Sequence, residues 1–398
     1  MRDEMKKVPR LRFRGFQEDW ELCKLKEITE RVKGNDGRMD LPTLTISAGQ
    51  GWLNQKDRFS GNIAGKEQKN YTLLLKNELS YNHGNSKLAK YGAVFSLKTY
   101  EEALVPRVYH SFKSTKNSDP DFLEYIFATK KPDKELGKLV SSGARMDGLL
   151  NINYDDFSNI KINIPHIHEQ KKISNLLRKI DNTITLHQRK LEQLKELKTA
   201  YLQLMFVPTN TKNNKVPKLR FANFEENWEL CKLENIIEKQ IKGKAKVENL
   251  CNGSVEYLDA NRLNGGKPIY TKALPDVSER DIIILWDGSK AGKVYYGFKG
   301  VLGSTLKAYQ LKECANSQFI YQQLLDNQNN IYNNYRTPNI PHVVKNFSSI
   351  FPIWMTSFEE QSQMADILSN LDNRIILQQN LTDTMISLKK SYLQNMFI

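Results

Sequence analysis

Residues 169–206 read EQKKISNLLRKIDNTITLHQRKLEQLKELKTAYLQLMF, and residues 360–397 read EQSQMADILSNLDNRIILQQNLTDTMISLKKSYLQNMF. The two stretches align without a gap at an offset of 191, with 15 of 38 positions identical, and neither contains Pro or Gly. In the first, apolar residues recur at steps of four and three: Ile173, Leu177, Ile180, Ile184, Leu191, Leu194, Tyr201 and Met205. The second repeats the series with Met364, Leu368, Leu371, Ile375, Met385, Tyr392 and Met396, and Thr382 falls within it. The polar breaks match, His187 with Gln378 and Lys198 with Lys389. This spacing predicts two long helices, each about 57 Å at 1.5 Å per residue, with one apolar seam. A seam of this kind needs a partner. The other copy is the natural one; packing of each helix on its own domain is the alternative. The candidate helix-pairing residues are Ile173, Leu177, Ile180, Ile184, Leu191, Leu194 and Tyr201 in the first helix. In the second they are Leu368, Leu371, Ile375, Met385 and Tyr392.

The duplication extends outward. VPRLRFRGFQEDWELCKLKEI (8–28) and VPKLRFANFEENWELCKLENI (216–236) share 14 of 21 positions at an offset of 208. The segments between the repeats, 29–168 and 237–359, are far less alike and differ in length by 17 residues. The order is constant, variable, constant, variable, constant. Such a chain keeps one scaffold twice and places two different readers on it. The period is too long for a solenoid, which repeats every ~20–50 residues.

The chain has 59 Lys and Arg against 45 Asp and Glu, a net charge of +14 spread over both halves. That balance points to a nucleic-acid partner through phosphate neutralisation, against the plainer reading of a merely basic protein. The four cysteines form no CxxC pair, and Cys23 and Cys231 are repeat equivalents expected to be buried thiols. A reducing, cytoplasmic setting is expected. The opening MRDEMKKVPRLRF has no apolar run of a signal peptide, and no stretch approaches the ~18 apolar residues of a membrane span.

The variable segments read as mixed α/β. Short apolar runs at 41–47, 71–75, 93–97 and 282–286 predict strands; 121–128 and 317–326 predict helices. The alternation of Ile160, Ile162 and Ile164 predicts a strand leading into the first long helix. Val207 to Lys215 is polar after its Val-Pro and reads as a linker.

Catalytic patterns are weak. Asp119-Pro120-Asp121-Phe122 lacks the second Pro of an adenine methyltransferase motif and reads as a helix cap. Pro132-Asp133-Lys134-Glu135 is a loose match to a nuclease. Gly288-Ser289-Lys290-Ala291-Gly292-Lys293 is one residue short of a phosphate loop, with Val294 where Ser or Thr would bind Mg²⁺. His166 and His168 lack a third ligand nearby, so no metal is expected. What remains is recognition. Residues 285–311, LWDGSKAGKVYYGFKGVLGSTLKAYQL, combine glycines, lysines and aromatics, and residues 80–92, SYNHGNSKLAKYG, are similar in character. Glycines let backbone amides approach phosphates, lysines neutralise them, and Asn or Arg can pair with base edges. The candidate DNA-binding residues are Asn82, His83, Asn85, Ser86, Lys87, Lys90 and Arg145 in the first segment. In the second they are Ser289, Lys290, Lys293, Ser304, Thr305, Lys307, Arg336 and Asn339.

The duplicated P-[RK]-L-R-F…W-E-L-C-K-L opening, the duplicated E-Q…Y-L-Q-x-M-F helix and the loop text LWDGSKAGK…GSTLKAYQL together resemble the specificity subunit of type I restriction–modification enzymes. The resemblance covers essentially the whole chain. It implies an α/β (α+β) fold: two similar target-recognition domains (1–168 and 216–359) separated by two antiparallel coiled-coil-like helices (169–206 and 360–398), with 207–215 as linker and an internal pseudo-two-fold. It implies double-stranded DNA as ligand, two adenine-methylating modification subunits holding S-adenosylmethionine, and restriction subunits using ATP and Mg²⁺ as further partners. The family subunit has no catalysis of its own and no cofactor. The paired helices would set the spacer between two unlike half-sites. The rival readings are an enzyme with an unrecognised site, a non-enzymatic coiled-coil assembly protein, and an inactive orphan subunit.

Overall fold

The computed structural model describes residues 8–59, 65–140, 149–208, 215–246, 253–338 and 341–398. The chain divides into two compact units that do not follow chain order: residues 1–187 with 381–398, and residues 188–380. Both long helices, Ile167–Met205 and Phe358–Asn395, therefore contribute to both units. The sequence boundaries had set each helix apart as its own segment.

The strands of the first unit are β1 (Glu21–Lys24), β2 (Thr29–Val32), β3 (Leu44–Ser47), β4 (Gly51–Asn54), β5 (Thr72–Leu75), β6 (Leu79–Asn82), β7 (Ala93–Ser96), β8 (Glu102–Val105), β9 (His110–Ser114) and β10 (Lys161–Ile164). An antiparallel sheet has the order β2-β9-β6-β7, β1 pairs with β10, and β3-β4 and β5-β8 form separate pairs. The helix Pro120–Ala128 begins where Asp119 accepts a hydrogen bond from the Phe122 amide (2.9 Å), with Pro at the first helical position. That is the cap expected of Asp119-Pro120, since proline there gives up only an amide the helix cannot use. The core gathers Trp20, Phe112, Phe122, Phe157, Ile173, Leu177, Met396 and Phe397.

The second unit has β11 (Glu229–Lys232), β12 (Ile237–Lys242), β13 (Val255–Leu258), β14 (Ile269–Thr271), β15 (Ile282–Leu285), β16 (Val294–Tyr295), β17 (Val301–Leu302), β18 (Leu306–Leu311) and β19 (Pro352–Met355). Its main sheet, β12-β18-β15-β16, repeats the first unit's order, and β11 pairs with β19 as β1 does with β10. A second sheet, β14-β13-β17, belongs to this unit and includes one parallel pair. Asn316 caps the helix Ser317–Asp326 by accepting from the Phe319 amide (3.1 Å).

The repeated text is the frame on which each unit is built. Glu169 is buried and accepts from Arg12 Nε (2.7 Å) and Nη2 (2.8 Å); its equivalent Glu360 accepts from Arg220 Nε (2.7 Å) and Nη2 (2.8 Å). The next residue also acts alike. Gln170 donates to Pro165 O (2.8 Å) and accepts from the Asp119 amide (3.0 Å), while Gln361 donates to Thr356 O (2.7 Å) and accepts from the Asn316 amide (2.8 Å). Each Glu-Gln pair thus pins the start of a long helix to its opening segment and to its domain helix.

Every position of the seven-residue series is buried or half-buried, the polar breaks included. In the first unit Lys389 meets Asp181 (2.6 Å), which also accepts from Tyr125 OH (2.7 Å), and Ile173 and Leu177 share a core with Met396 and Phe397. In the second, Lys198 meets Asp372 (2.5 Å), which also accepts from Gln322 (2.7 Å), and Met205 shares a core with Met364 and Leu368. Within each unit the two helix segments therefore run antiparallel. The seam serves both expected uses, since Ile173, Leu177 and Leu368 also join the domain cores. A fully buried Leu or Ile is worth roughly 1.5–3 kcal/mol. The two lysines that interrupt the series are satisfied by carboxylates one helix away.

Two expectations change. Val207 is buried with Met205 and Phe206 in the second unit's core, and Lys215 O accepts from the Trp228 amide (2.8 Å), so the linker's ends are anchored. Cys23 is buried, and burial pushes its thiol up to about 11, but Cys231 is only half-buried. Among the described residues no helix is long and apolar enough to cross a membrane.

Candidate nucleic-acid interface

The two loops singled out by their glycines and lysines occupy the same place in the two units. One follows β6 and the other follows β15, the third strand of each main sheet. Each is held by the same backbone bond, Leu150 N to His83 O (2.9 Å) in one unit and Val343 N to Trp286 O (2.9 Å) in the other. Next to these bonds lie the isolated bridges Gly84–Leu149 and Asp287–His342. The frame is duplicated, and the side chains it carries differ.

In the first unit the loop closes as a turn in which Ser86 Oγ accepts from the Ala89 amide (3.1 Å). Asn85, Ser86, Lys87 and Lys90 are exposed. A groove of about 400 Å³ separates this turn from Ile46–Gly49, and Arg58 lines it with Asn85, Ser86 and Lys87. Cations, an amide and a hydroxyl are thus offered together, a set suited to phosphates and base edges. Arg58, on the short helix Gln55–Phe59, is not among the residues expected from the sequence; it lies 24 positions or more before the 82–90 loop, and only the fold brings it to the groove.

Two expected contacts are corrected here. His83 is buried; its Nδ1 lies 2.7 Å from Leu150 O and its Nε2 2.9 Å from Val108 O, so both ring nitrogens are engaged within the protein. It stacks on His110 (4.9 Å between centroids), whose imidazolium burial pulls down to about 4. Asn82 also turns inward, donating to Ile46 O (3.2 Å) and accepting from the Gly84 amide (3.1 Å), and so shapes the groove wall.

In the second unit Ser289, Lys290, Ser304 and Thr305 are exposed. Thr305 O accepts from the Trp286 (2.8 Å) and Asp287 (3.2 Å) amides, which places the 286–290 loop beside the 303–306 turn. Gly288 has φ +114°, a conformation that disfavours any residue with a Cβ. Lys307 stacks its ammonium 3.4 Å from the centre of the Trp286 ring. Burial, and then the neighbouring Lys242, pull Lys307 below the usual lysine range; an anion at this spot would relieve both effects.

Two more expectations are corrected in this unit. Arg336 holds the loop instead of facing outward: its Nε donates to Tyr332 O (2.9 Å) and its Nη1 to Ser289 O (3.3 Å). Lys293 donates to Asn264 Oδ1 and stands over the Tyr295 ring (5.1 Å). Arg145 and Asn339 lie outside the described residues. His342, missed in the sequence, is paired with Asp287; their separation of 55 positions hid it. Among the described residues no group of three or more His, Cys, Asp or Glu side chains could hold a metal ion.

Comparison with known proteins agrees with this geometry. The family model described as type I restriction modification DNA specificity domain matches twice, at residues 17–196 and 225–385. The type I restriction enzyme MjaVIII specificity subunit of Methanocaldococcus jannaschii is 32% identical over 181 residues, which are 43% of this chain and 42% of that protein. The chain thus spans less than half the length of that curated relative. The crystal structure of the type I restriction–modification S subunit from M. genitalium superimposes with a TM-score of 0.68, covering 98% of this chain and 99% of that one at 15% identity. A chain from a structure of assembly and conformational transition in the type I system gives 0.51 over 94% and 96%, at 12% identity. These two likenesses establish a shared fold. With two family matches spanning most of its length, each on one copy of the duplicated frame, the chain belongs to the type I restriction–modification DNA specificity family.

Proposed function

We propose that this chain is the non-catalytic, sequence-reading subunit of a type I restriction–modification complex. It reads an asymmetric, bipartite site on double-stranded DNA, one half per unit, and positions two adenine methyltransferase subunits on it. Those partners would hold S-adenosylmethionine and flip the target base, whose amino group cannot be attacked within the stack. Restriction subunits using ATP and Mg²⁺ would be further partners. The observation that carries this reading is one frame present twice, with unlike basic loops at the same topological position. The test is co-expression with the cognate methyltransferase and mapping of N6-methyladenine by single-molecule sequencing. One split motif with two unlike halves and a fixed spacer is expected. Methylation at a motif this chain does not alter would overturn the reading.

Two like partners are supported by apolar residues that the fold itself does not bury. Leu197 and its equivalent Leu388 are 40% and 39% exposed; Leu11 and its equivalent Leu219 are both 42% exposed. Leu11 N donates to Asn395 O (2.9 Å) and Leu219 N to Leu204 O (2.8 Å). Seven residues separate 388 from 395 and 197 from 204, so they share a helix face about 10 Å apart. Each unit thus shows the same apolar patch. The double variant Leu197→Glu, Leu388→Glu should keep its helical circular dichroism yet lose both methyltransferase subunits, at about 2 kcal/mol or more per site. Native mass spectrometry of the co-expressed complex would show it; two retained partners would refute the assignment.

A further inference from the structure

Asp287 and His342 are joined twice, by a backbone bridge and by their side chains, with His342 Nδ1 2.5 Å from Asp287 Oδ1. Their pose is fixed from several directions. The Asp287 amide donates to Thr305 O, the Gly288 amide to Pro341 O (3.0 Å), the His342 amide to Thr337 Oγ1 (3.1 Å) and the Val343 amide to Trp286 O. Yet the His342 side chain is 44% exposed and that of Asp287 35%. Among the described residues His342 Nε2 has no hydrogen-bond partner. Exposed Ser289 and Lys290 follow Asp287 in the same loop, and the Asp287 amide bonds to the carbonyl of Thr305, which with Ser304 is exposed. At the same place in the first unit stand Gly84 and Leu149, which have no such chemistry. The pair is therefore a property of the second unit alone, as a device for one half-site must be.

We infer that His342 reads a base edge in the second half-site and that Asp287 is its positioning residue. This rests on the DNA-reading function proposed above. An ionised carboxylate can only accept, so it holds the proton of the neutral ring on Nδ1 and leaves Nε2 as an outward acceptor. In the major groove an acceptor recognises an exocyclic amino group, N6 of adenine or N4 of cytosine. Lys290 and the hydroxyls of Ser304 and Thr305 would engage phosphates beside it, fixing the register without reading sequence.

The test uses the co-expressed methyltransferase complex, with methylation mapping and with binding to duplexes substituted at each base of the second half-site. His342→Ala should lose about tenfold or more of its preference at one base position, with the first half-site unchanged. His342→Gln, which can still offer an amide oxygen, should keep part of that preference. Asp287→Asn is the decisive variant. Its amide can donate to Nδ1, which moves the ring proton to Nε2 and turns an acceptor into a donor. Preference at that position should then shift toward guanine or thymine, which present acceptors, whereas a purely structural role for Asp287 would leave the preferred base the same. An unchanged base profile in His342→Ala, or a uniform weakening at every position of the second half, would overturn the inference. A wild-type complex with no split motif would fail earlier and take the underlying function with it.

Discussion

Replacing Arg220 with alanine should destabilise the unit formed by residues 188–380 by about 3–5 kcal/mol. The Glu360 side chain is fully buried and accepts from Arg220 Nε (2.7 Å), Arg220 Nη2 (2.8 Å), Trp228 Nε1 (3.2 Å) and Thr356 Oγ1. Truncating the arginine leaves the buried carboxylate without its counter-charge, with only Trp228 Nε1 and Thr356 Oγ1 still donating to it. The partner change should repair much of the damage. Glu360→Gln added to Arg220→Ala removes the stranded charge while an amide oxygen still accepts from Trp228. Urea unfolding followed by far-ultraviolet circular dichroism would measure both variants. A loss below about 1 kcal/mol in the single variant, or a double variant no better than the single, would refute this account. The equivalent Arg12→Ala should cost at least as much, because among the described residues Glu169 accepts side-chain bonds from Arg12 alone, whereas Glu360 keeps Trp228 and Thr356.

Transplanting the second reader from another family member should change one half of the target and leave the other intact. Specific protein–DNA recognition exceeds non-specific binding by about 10³–10⁷-fold, so the original second half should lose nearly all of its preference. The structure dictates which residues to move. Within the variable segment 237–359, the helix Ser317–Asp326 is bonded to the second long helix, the Asn316 amide to Gln361 and Gln322 to Asp372, and to β19, Gln323 to Trp354 O (2.7 Å). A graft of 237–311 with 328–346 that keeps residues 312–327 native preserves those bonds. A graft that replaces the helix as well should lose stability unless its donor carries the same side chains. Mapping N6-methyladenine in cells that express the chimaera would decide. A change in both halves, or in neither, would refute the assignment of one half-site to each unit.

Much of the frame was legible because its signals are local. The four-and-three spacing of apolar residues is a helix property, and every position in the series is buried or half-buried. Asp119 before Pro120 announced its helix, since a short acceptor is needed where the first amides lack partners. The candidate loops stand out as segments because glycines, lysines and aromatics cluster there. Individual roles within them were less legible. His83 looks like a reader in sequence, but strand β6 carries its ring into the core, onto two carbonyl oxygens. Arg336 looks like a DNA contact, but its guanidinium is engaged by the carbonyls of the loop it holds.

By itself the sequence determined the duplication, the two long helices, the Asp119 cap and the division into constant and variable segments. Each of these follows from spacing along the chain. Only the tertiary structure decided that the buried glutamates of the two Glu-Gln pairs meet arginines 157 and 140 residues away. It alone decided that each long helix is divided between two units, and that Asp287 orients His342. The physical reason is common to all three. An apolar seam or a buried charge states that a partner is required, but which residue meets that requirement depends on which segments the folded chain brings within a few ångströms.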